Sequence, residues 1–572
     1  MRILLLCHSF NSLSQRLYLD LLRGGHQLSI EFDIADSVSE EAVALFRPEL
    51  IVATYLRRAI PESVWRQHVC LIVHPGIVGD RGPSALDWAL QEGVEARWGV
   101  TVLQAEAAMD AGPVWASEEF PLRMAAKGSV YRNEVTEAAS RALQTAIARY
   151  ASGGRATPLA EVPGRGRLRP LLRQSERAIA WARDDSATVL RKIRAADGFP
   201  GVADRVLGEP CHLYDAWPEQ GLPAELAAAA PGQLIARRET ALLRKTTDGA
   251  VWIGHIRRDA AALSIKQPAT LAFGVDLPTL PELPLAGWWA VDGTWQDIAY
   301  REQGEVGVLS FEFYNGAMGT AQCQRLRQAL LWAQARPTRV LLLAGGEDFW
   351  SNGIHLNLIE AAASPADESW RNIEAMDDLA EALIRNEAQI TIAAINGNAG
   401  AGGVFLARAA DLVWVRQGVL LNPHYKNMGN LYGSEYWTYL LPPRVGAEGA
   451  LRIMQQRRPM DADSALALGL IDACIDVARA DFPAETLRLA QALAVTDGPA
   501  RVAAKRAQRA DDEAAKPLAL YRKEELDHMR RNFYGFDPSY HVARYHFVHK
   551  TPPAWTPLHL ARHRDLGWKV PT

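Results

Sequence analysis

Short apolar runs alternate with amphipathic stretches over residues 1–120. Ile3–Leu6, Ile51–Thr54, Leu71–Val73 and Val100–Leu103 read as buried strands. The segments around Ser14–Leu22, Glu40–Phe46 and Ala85–Gln91 read as helices. This alternation predicts an α/β domain over about 1–160, with a parallel sheet and helices on both faces. Ligands on such sheets bind beyond the carboxyl ends of the strands, so polar residues there carry most interest. Residues 151–170, rich in Gly, Pro and Arg, read as a linker. Over 166–275 one helical stretch, Ala187–Ala196, precedes short strands around Leu213, Gln233–Ala236, Ala241–Lys245 and Val251–Arg257. Pro231-Gly232 and Asp248-Gly249 mark turns between them, a pattern that predicts a small antiparallel β-barrel of OB-like type. The Pro-rich stretch Leu277–Leu285 marks another boundary. From 286 to 572 βα alternation resumes, and helical segments dominate after Ala484.

Composition narrows the function classes. The 572 residues are 48% hydrophobic and 22% charged, and the net charge of −4 offers no general attraction to nucleic acid or anionic membranes. No apolar run approaches the roughly 20 residues a membrane span needs. Met1–Cys7 is short and runs straight into polar His8–Ser12, so it reads as a first strand and not a secretory signal. Cys7, Cys70, Cys211, Cys323 and Cys474 are scattered without metal-ligand spacing, which predicts reduced thiols, no metal site and a cytoplasmic protein.

The strand Leu71–Val73 delivers His74 into the Pro/Gly-rich loop Pro75–Ser84, and the strand Trp98–Gln104 leads to Met109-Asp110-Ala-Gly-Pro-Val114. Formyl transfer needs a proton acceptor for the nucleophile and stabilisation of a tetrahedral oxyanion, and a His–Asp pair can supply much of both. The plain alternative is a strand-end histidine satisfied by backbone. His74-Pro-Gly…Arg81-Gly-Pro-Ser…Asp110-Ala-Gly-Pro-Val resembles the His-Pro-Ser…Arg-Gly…Leu-Asp-x-Gly-Pro-Ile pattern of the 10-formyltetrahydrofolate-dependent formyltransferases, over about residues 1–150. The resemblance implies a Rossmann-like formyltransferase domain with His74 and Asp110 as the catalytic pair. It also implies a folate site that includes Tyr55, Leu56, Arg57, Ile60, Arg81 and Gly82. Ile179-Ala-Trp181, Arg191-Lys-Ile-Arg194-Ala and Pro231-Gly-Gln-Leu-Ile235 look like the C-terminal domain of methionyl-tRNA formyltransferase. One departure stands out. The family has Asn two residues before the histidine, donating to the oxyanion, and here that position is Ile72. Losing one such donor costs about 3–4 kcal/mol. Either another group replaces it, with Asn11 a candidate that reads equally well as a loop cap, or the acceptor is more reactive than an amine, as a thiol is.

A second centre lies downstream. Phe349-Trp-Ser-Asn-Gly353-Ile-His-Leu356 follows the strand Arg339–Leu343. The strand Gln389–Ile395 ends in Asn396-Gly-Asn-Ala-Gly-Ala-Gly402-Gly403, which opens an apolar helix. Two strand-end glycine turns can aim main-chain N–H groups at one carbonyl oxygen, although such turns also bind phosphates. With Pro459–Asp472, which matches Ala-x-x-Ala-x-x-x-Gly-Leu-[Ile/Val]-Asp, they resemble the crotonase (enoyl-CoA hydratase/isomerase) superfamily over about 286–550. The resemblance implies a crotonase-fold domain with a helical C-terminal segment and a CoA ligand. It assigns the oxyanion donors to Ile354 and Gly402, with Gly353 and Gly403 beside them. The two hydratase glutamates would fall at Phe405 and at His424 or Tyr425, so hydration is not expected. Asn422–Trp437 is rich in acid/base types, and Tyr425, Tyr432 and Glu435 are candidates to touch the substrate, with structural packing as each one's alternative.

The two centres in tandem resemble the HoxX-type hydrogenase maturation proteins along the whole chain. That resemblance implies carbon monoxide formation for nickel–iron hydrogenase from 10-formyltetrahydrofolate. A route through CoA and formyl-CoA fits both centres, with the hydrogenase large subunit or other maturation proteins as partners. Two other readings stay open: formylation of an amine beside an independent acyl-CoA domain, and a non-catalytic assembly module.

Overall fold

The structure, a computed structural model, describes residues 1–260, 264–496 and 498–565. The reading of the third domain as far as 572 therefore lies outside the described residues over 566–572.

The first sheet runs β2-β1-β3-β4-β5-β6, with β1 Arg2–Cys7, β2 Gln27–Phe32, β3 Leu50–Tyr55, β4 Cys70–His74, β5 Arg97–Gln104 and β6 Val114–Pro121. Side chains of β1 enter two separate cores: Ile3, Leu5 and Cys7 on one face, Leu4 and Leu6 on the other. Burial on both faces explains why this strand is continuously apolar. The parallel expectation holds for β1–β4 only, since β5 and β6 run antiparallel. The intervening helix Ala85–Glu92 has eight residues, about 12 Å of rise. That is too short to return the chain to the start of the sheet, so β5 leaves from the edge where β4 ended. Its register sets Thr101 opposite His74.

Residues 151–170 are no free linker. Thr157 and Val114 exchange backbone hydrogen bonds, Gly166 N–H donates to Val78 O at 3.0 Å, and Arg169 N–H donates to Arg81 O at 2.9 Å. The segment is a strap laid over the loop that follows His74. Gly82 shows why the loop needs glycine there: its φ is +117°, and a Cβ would fall 2.2 Å from Arg169 O.

The second domain is an antiparallel sheet of β7 Val202–Val206, β8 Glu209–Glu219, β9 Leu234–Arg238, β10 Ala241–Lys245, β11 Ala250–Arg258 and β12 Lys266–Pro268. Its order is β7-β8-β11-β10-β9, with β12 on β11. The expected barrel is thus a sheet whose hydrogen-bonded path stays open between β7 and β9. Alternate residues enter cores on its two faces, Leu242 with Ile253 on one and Leu243 with Trp252 on the other.

The third domain has two sheets. The larger orders β13 Ile298–Gln303, β14 Val306–Phe311, β15 Val340–Gly345, β17 Ile390–Ile395, β19 Leu412–Arg416 and β22 Ala473–Ile475. The smaller orders β16 Phe349–Ser351, β18 Asn398–Gly400, β20 Leu420–Asn422 and β21 Met460–Asp461. β15, β17 and β19 each continue into a strand of the small sheet. The glycine turns sit where those short strands end. Four helices from Phe482 to His549 follow. Residues 556–564 then leave this domain and pack on the first: Ile30 N–H donates to Leu560 O, and Leu560 joins the first core. Fully buried Glu31 accepts from Thr556, His563 and Arg564. The five cysteines are free, and among the described residues no helix is long and apolar enough to cross a membrane.

Candidate functional site

His74 ends β4 and is 6% exposed. Its Nδ1 lies 3.6 Å from Asp110 Oδ1, and its Nε2 lies 3.2 Å from Asp80 Oδ2. Asp110 sits in the left-handed region at φ +55° and accepts the Gly82 N–H at 3.2 Å. The predicted pair is therefore brought together, with a second carboxylate on the other edge of the ring. Asp80 carried a usable signal, an acid six residues past the histidine in the same loop, but an Asp among glycines reads first as a turn residue. Also beyond the sequence reading is His8, whose Nδ1 is 2.7 Å from Asp33 Oδ1 at the neighbouring strand end.

Asn11 caps a helix and keeps its amide nitrogen as a donor at the same strand-end loop. Its Oδ1 accepts Ser14 N–H at 2.9 Å, which caps the helix Ser12–Arg23, and its side chain bonds the Tyr131 hydroxyl. Of the expected folate segment, Tyr55 sets its ring edge-on to His8 at 6.1 Å. Leu56 and Ile60 belong to the core under β3. Arg57 is exposed, with its N–H donating to Asp33 at 2.8 Å. Arg81 makes no ion pair among the described residues.

At the second centre the two glycine turns touch: a Cβ on Gly353 would lie 3.4 Å from Gly402 N. Neither Ile354 N–H nor Gly402 N–H donates to a protein acceptor among the described residues, so both remain available. Gly403 and Gly353 build the turns. Trp350 Nε1 donates to Gly403 O at 2.9 Å, and Gly353 N–H donates to Ser351 Oγ at 3.0 Å. A Cβ on Gly402 would fall 2.3 Å from Glu435 Oε1, so that carboxyl lies directly against the donor turn.

Tyr425 donates its hydroxyl to Glu435 and stacks on Phe405 at 5.7 Å. Glu435 and Tyr436 both have φ of +60°, a strain of about 1–3 kcal/mol each. Two buried carboxylates hold this turn. Asp377 accepts Glu435 N–H at 2.8 Å, and Glu525 accepts Tyr436 N–H at 2.9 Å. Burial, then the Asp377 charge, pushes the Glu435 carboxyl up to about 8. Burial, then Glu435, raises the Tyr425 hydroxyl well above its usual range. Both shifts favour the protonated, neutral forms. Tyr432 stands apart: Gly433, at φ +96°, reverses the chain, and the ring stacks on His528 at 4.0 Å. Of the three candidates, Tyr425 and Glu435 come together and Tyr432 packs on the outer helix Leu518–Tyr534.

A cavity of about 460 Å³ is walled by Phe10 and Gln15 of the first domain, Lys426 and Arg457 of the third, and Trp555 and His559 of the returning segment. Gln15 accepts from Asn422 Nδ2 at 3.1 Å, which ties this wall to β20 and the Tyr425 loop. Neither Lys426 nor Arg457 has an ion-pair partner among the described residues. Burial, then Arg457, lowers the Lys426 ammonium, and burial, then Arg457 and Arg458, lowers His559 to about 4. Cations gathered without a facing carboxylate suit a polyanion.

Three stretches of the chain match known families. Residues 33–147 match the formyl transferase family, 171–270 the formyl transferase C-terminal domain, and 313–557 enoyl-CoA hydratase/isomerase. Over 566 residues, 99% of this chain and 97% of the other, it is 53% identical to the hydrogenase maturation factor HoxX of Bradyrhizobium diazoefficiens. The crystal structure of HypX from Aquifex aeolicus in complex with tetrahydrofolic acid covers 100% of both chains, with a TM-score of 0.94 and 44% identity. The methionyl-tRNA formyltransferase of Ralstonia nicotianae is 24% identical over 222 residues, which is 38% of this chain and 66% of that one.

Proposed function

The chain belongs to the HoxX family of hydrogenase maturation factors, and from that premise we propose that it makes carbon monoxide for nickel–iron hydrogenase by transferring formyl from 10-formyltetrahydrofolate to CoA and decarbonylating formyl-CoA. The observation that carries this reading is the cavity walled by both catalytic domains, with the unpaired cations Lys426 and Arg457 in it. Lys426, Arg457 and His559 suit the phosphates of CoA, and Trp555 and Phe10 offer faces for its base. The strand-end crevice around Tyr55, Arg57, Arg81 and Gly82 is the folate side. The tetrahydrofolic acid complex of the Aquifex protein supports folate as a ligand.

At the first centre His74 acts as general base on the acceptor thiol. A thiol gives up its proton near neutral pH and its thiolate is a stronger nucleophile than an amine, so a site lacking the oxyanion amide at position 72 can still work. At the second centre the N–H groups of Ile354 and Gly402 hold the formyl oxygen. A formyl thioester has no α-carbon, so enolate chemistry is closed to it. Glu435, as carboxylate, takes the formyl proton while the C–S bond breaks. Carbon monoxide leaves, the thiolate recovers the proton from Glu435, and Tyr425 keeps the carboxyl in place. The enclosed site limits hydrolysis to formate. Delivery to the hydrogenase large subunit or another maturation protein is the partner reading that goes with this one.

The test supplies purified protein with 10-formyltetrahydrofolate carrying ¹³C in the formyl group, with and without CoA, and traps gas on reduced haemoglobin. Labelled carbon monoxide that depends on CoA is the expected result. Labelled formate alone removes the decarbonylation step. Turnover on a sugar-nucleotide amine without CoA removes the thiol route.

A further inference from the structure

We propose that Asp80 is the positioning carboxylate of the formyl-transfer centre, accepting the Nε2–H of His74 so that the Nδ1 lone pair is the base. The inference rests on the formyl-transfer reading and adds to it which nitrogen works and what holds it there.

Three observations carry it. First, the two carboxylates are not equivalent. Asp80 Oδ2 is within hydrogen-bond reach of Nε2 at 3.2 Å, whereas Asp110 Oδ1 is 3.6 Å from Nδ1, beyond a hydrogen bond. Asp110 instead spends its other oxygen on the Gly82 N–H. Second, the Asp80 side chain is 1% exposed, and its Oδ1 has no protein partner among the described residues. A sealed carboxylate of that kind, fixed by its own N–H to Ile77 O, acts on the ring beside it and not on solvent. Third, the loop is cut to admit the pair. A Cβ on Gly76 would fall 2.4 Å from His74 Nε2 and 2.8 Å from Asp80 Oδ2. Any side chain at 76, including the serine of the formyltransferase pattern, would push them apart.

A neutral imidazole has one N–H, and the hydrogen bond made by one nitrogen fixes the other as acceptor. With Nε2–H on Asp80, Nδ1 receives the acceptor's S–H proton as the sulfur–carbon bond forms. The same proton passes to N10 of the folate as the carbon–nitrogen bond breaks. One formyl group and one proton exchange places, and nothing is oxidised. Asp110, beside Nδ1, faces the positive charge that develops on the ring.

The experiment labels the full chain with ¹⁵N-histidine and assigns His74 by the signal lost in His74→Gln. In the wild type near pH 8 the expected spectrum has a protonated Nε2 and a pyridine-like Nδ1. In Asp80→Asn that signature is lost, and CoA-dependent consumption of 10-formyltetrahydrofolate falls about 10²–10⁴-fold in kcat, with KM within about threefold. Gly76→Ser gives the same loss by steric means. A wild-type His74 protonated on Nδ1 overturns the proposal with no variant needed. So does Asp80→Asn with an unchanged tautomer and rate. An active wild type with either result leaves formyl transfer standing and removes Asp80 alone. A wild type that moves no formyl group removes both.

Discussion

In the proposed function the two centres solve the same problem, control of a carbonyl, with different parts of the chain. Around His74 the working groups are side chains on a loop, and their geometry depends on a strap from residues 162–170. Around Glu435 the groups proposed to bind the carbonyl are main-chain N–H donors at Ile354 and Gly402, and the proposed base is set by a strained turn tied to Asp377 and Glu525. Side-chain sites can be retuned by single replacements, as Ile72 and Gly76 illustrate. A main-chain site changes only with the fold, so variation there is pushed onto the acid/base residues.

That contrast predicts separable losses. His74→Ala should lower formyl transfer by about 10³–10⁴ and leave carbon monoxide release from supplied formyl-CoA within twofold. Equal loss of both steps would join the centres into one. Glu435→Gln should do the reverse, lowering gas release by about 10²–10³ while formyl-CoA accumulates, as mass spectrometry would record.

The acid/base difference should also be visible in pH. Gas release should rise about tenfold per pH unit and level off above about 8 as Glu435 ionises. A rate falling over that range would make Glu435 the acid and reverse its role. The sign for stability is opposite. The native state keeps a proton that the unfolded chain has released, so this carboxyl lowers stability as pH climbs from about 4.5 to 8. Melting curves of Glu435→Gln should lose that slope. The smallest effect belongs to the space the centres share. Lys426→Ala and Arg457→Ala should each raise KM for CoA about tenfold, or about 1.4 kcal/mol, without changing kcat on the formyl group.

The sequence made legible those features that repeat locally. The apolar strands of the first domain, the strand-end His74 and the two glycine turns all come from short windows. What needed the fold was non-local. The reversal of β5 depends on the length of one helix, and the strap over the His74 loop looked like linker composition. Asp377 and Glu525 come from helices 58 and 89 residues from the turn they hold. Tyr432 and Glu435, three residues apart, could not be separated without the positive φ at Gly433. Asn11 caps a helix, the reading that stood level with its role as a donor, because its oxygen bonds the helix N-terminus.

The return of residues 556–564 to β2 has a consequence for synthesis. Glu31 lies 525 residues before Thr556, which at 5–20 residues per second is about half a minute to two minutes of translation. Throughout that interval the nascent first domain must carry an acid whose partners do not yet exist. Its edge strand can be covered only once residues 556–564 have left the ribosome.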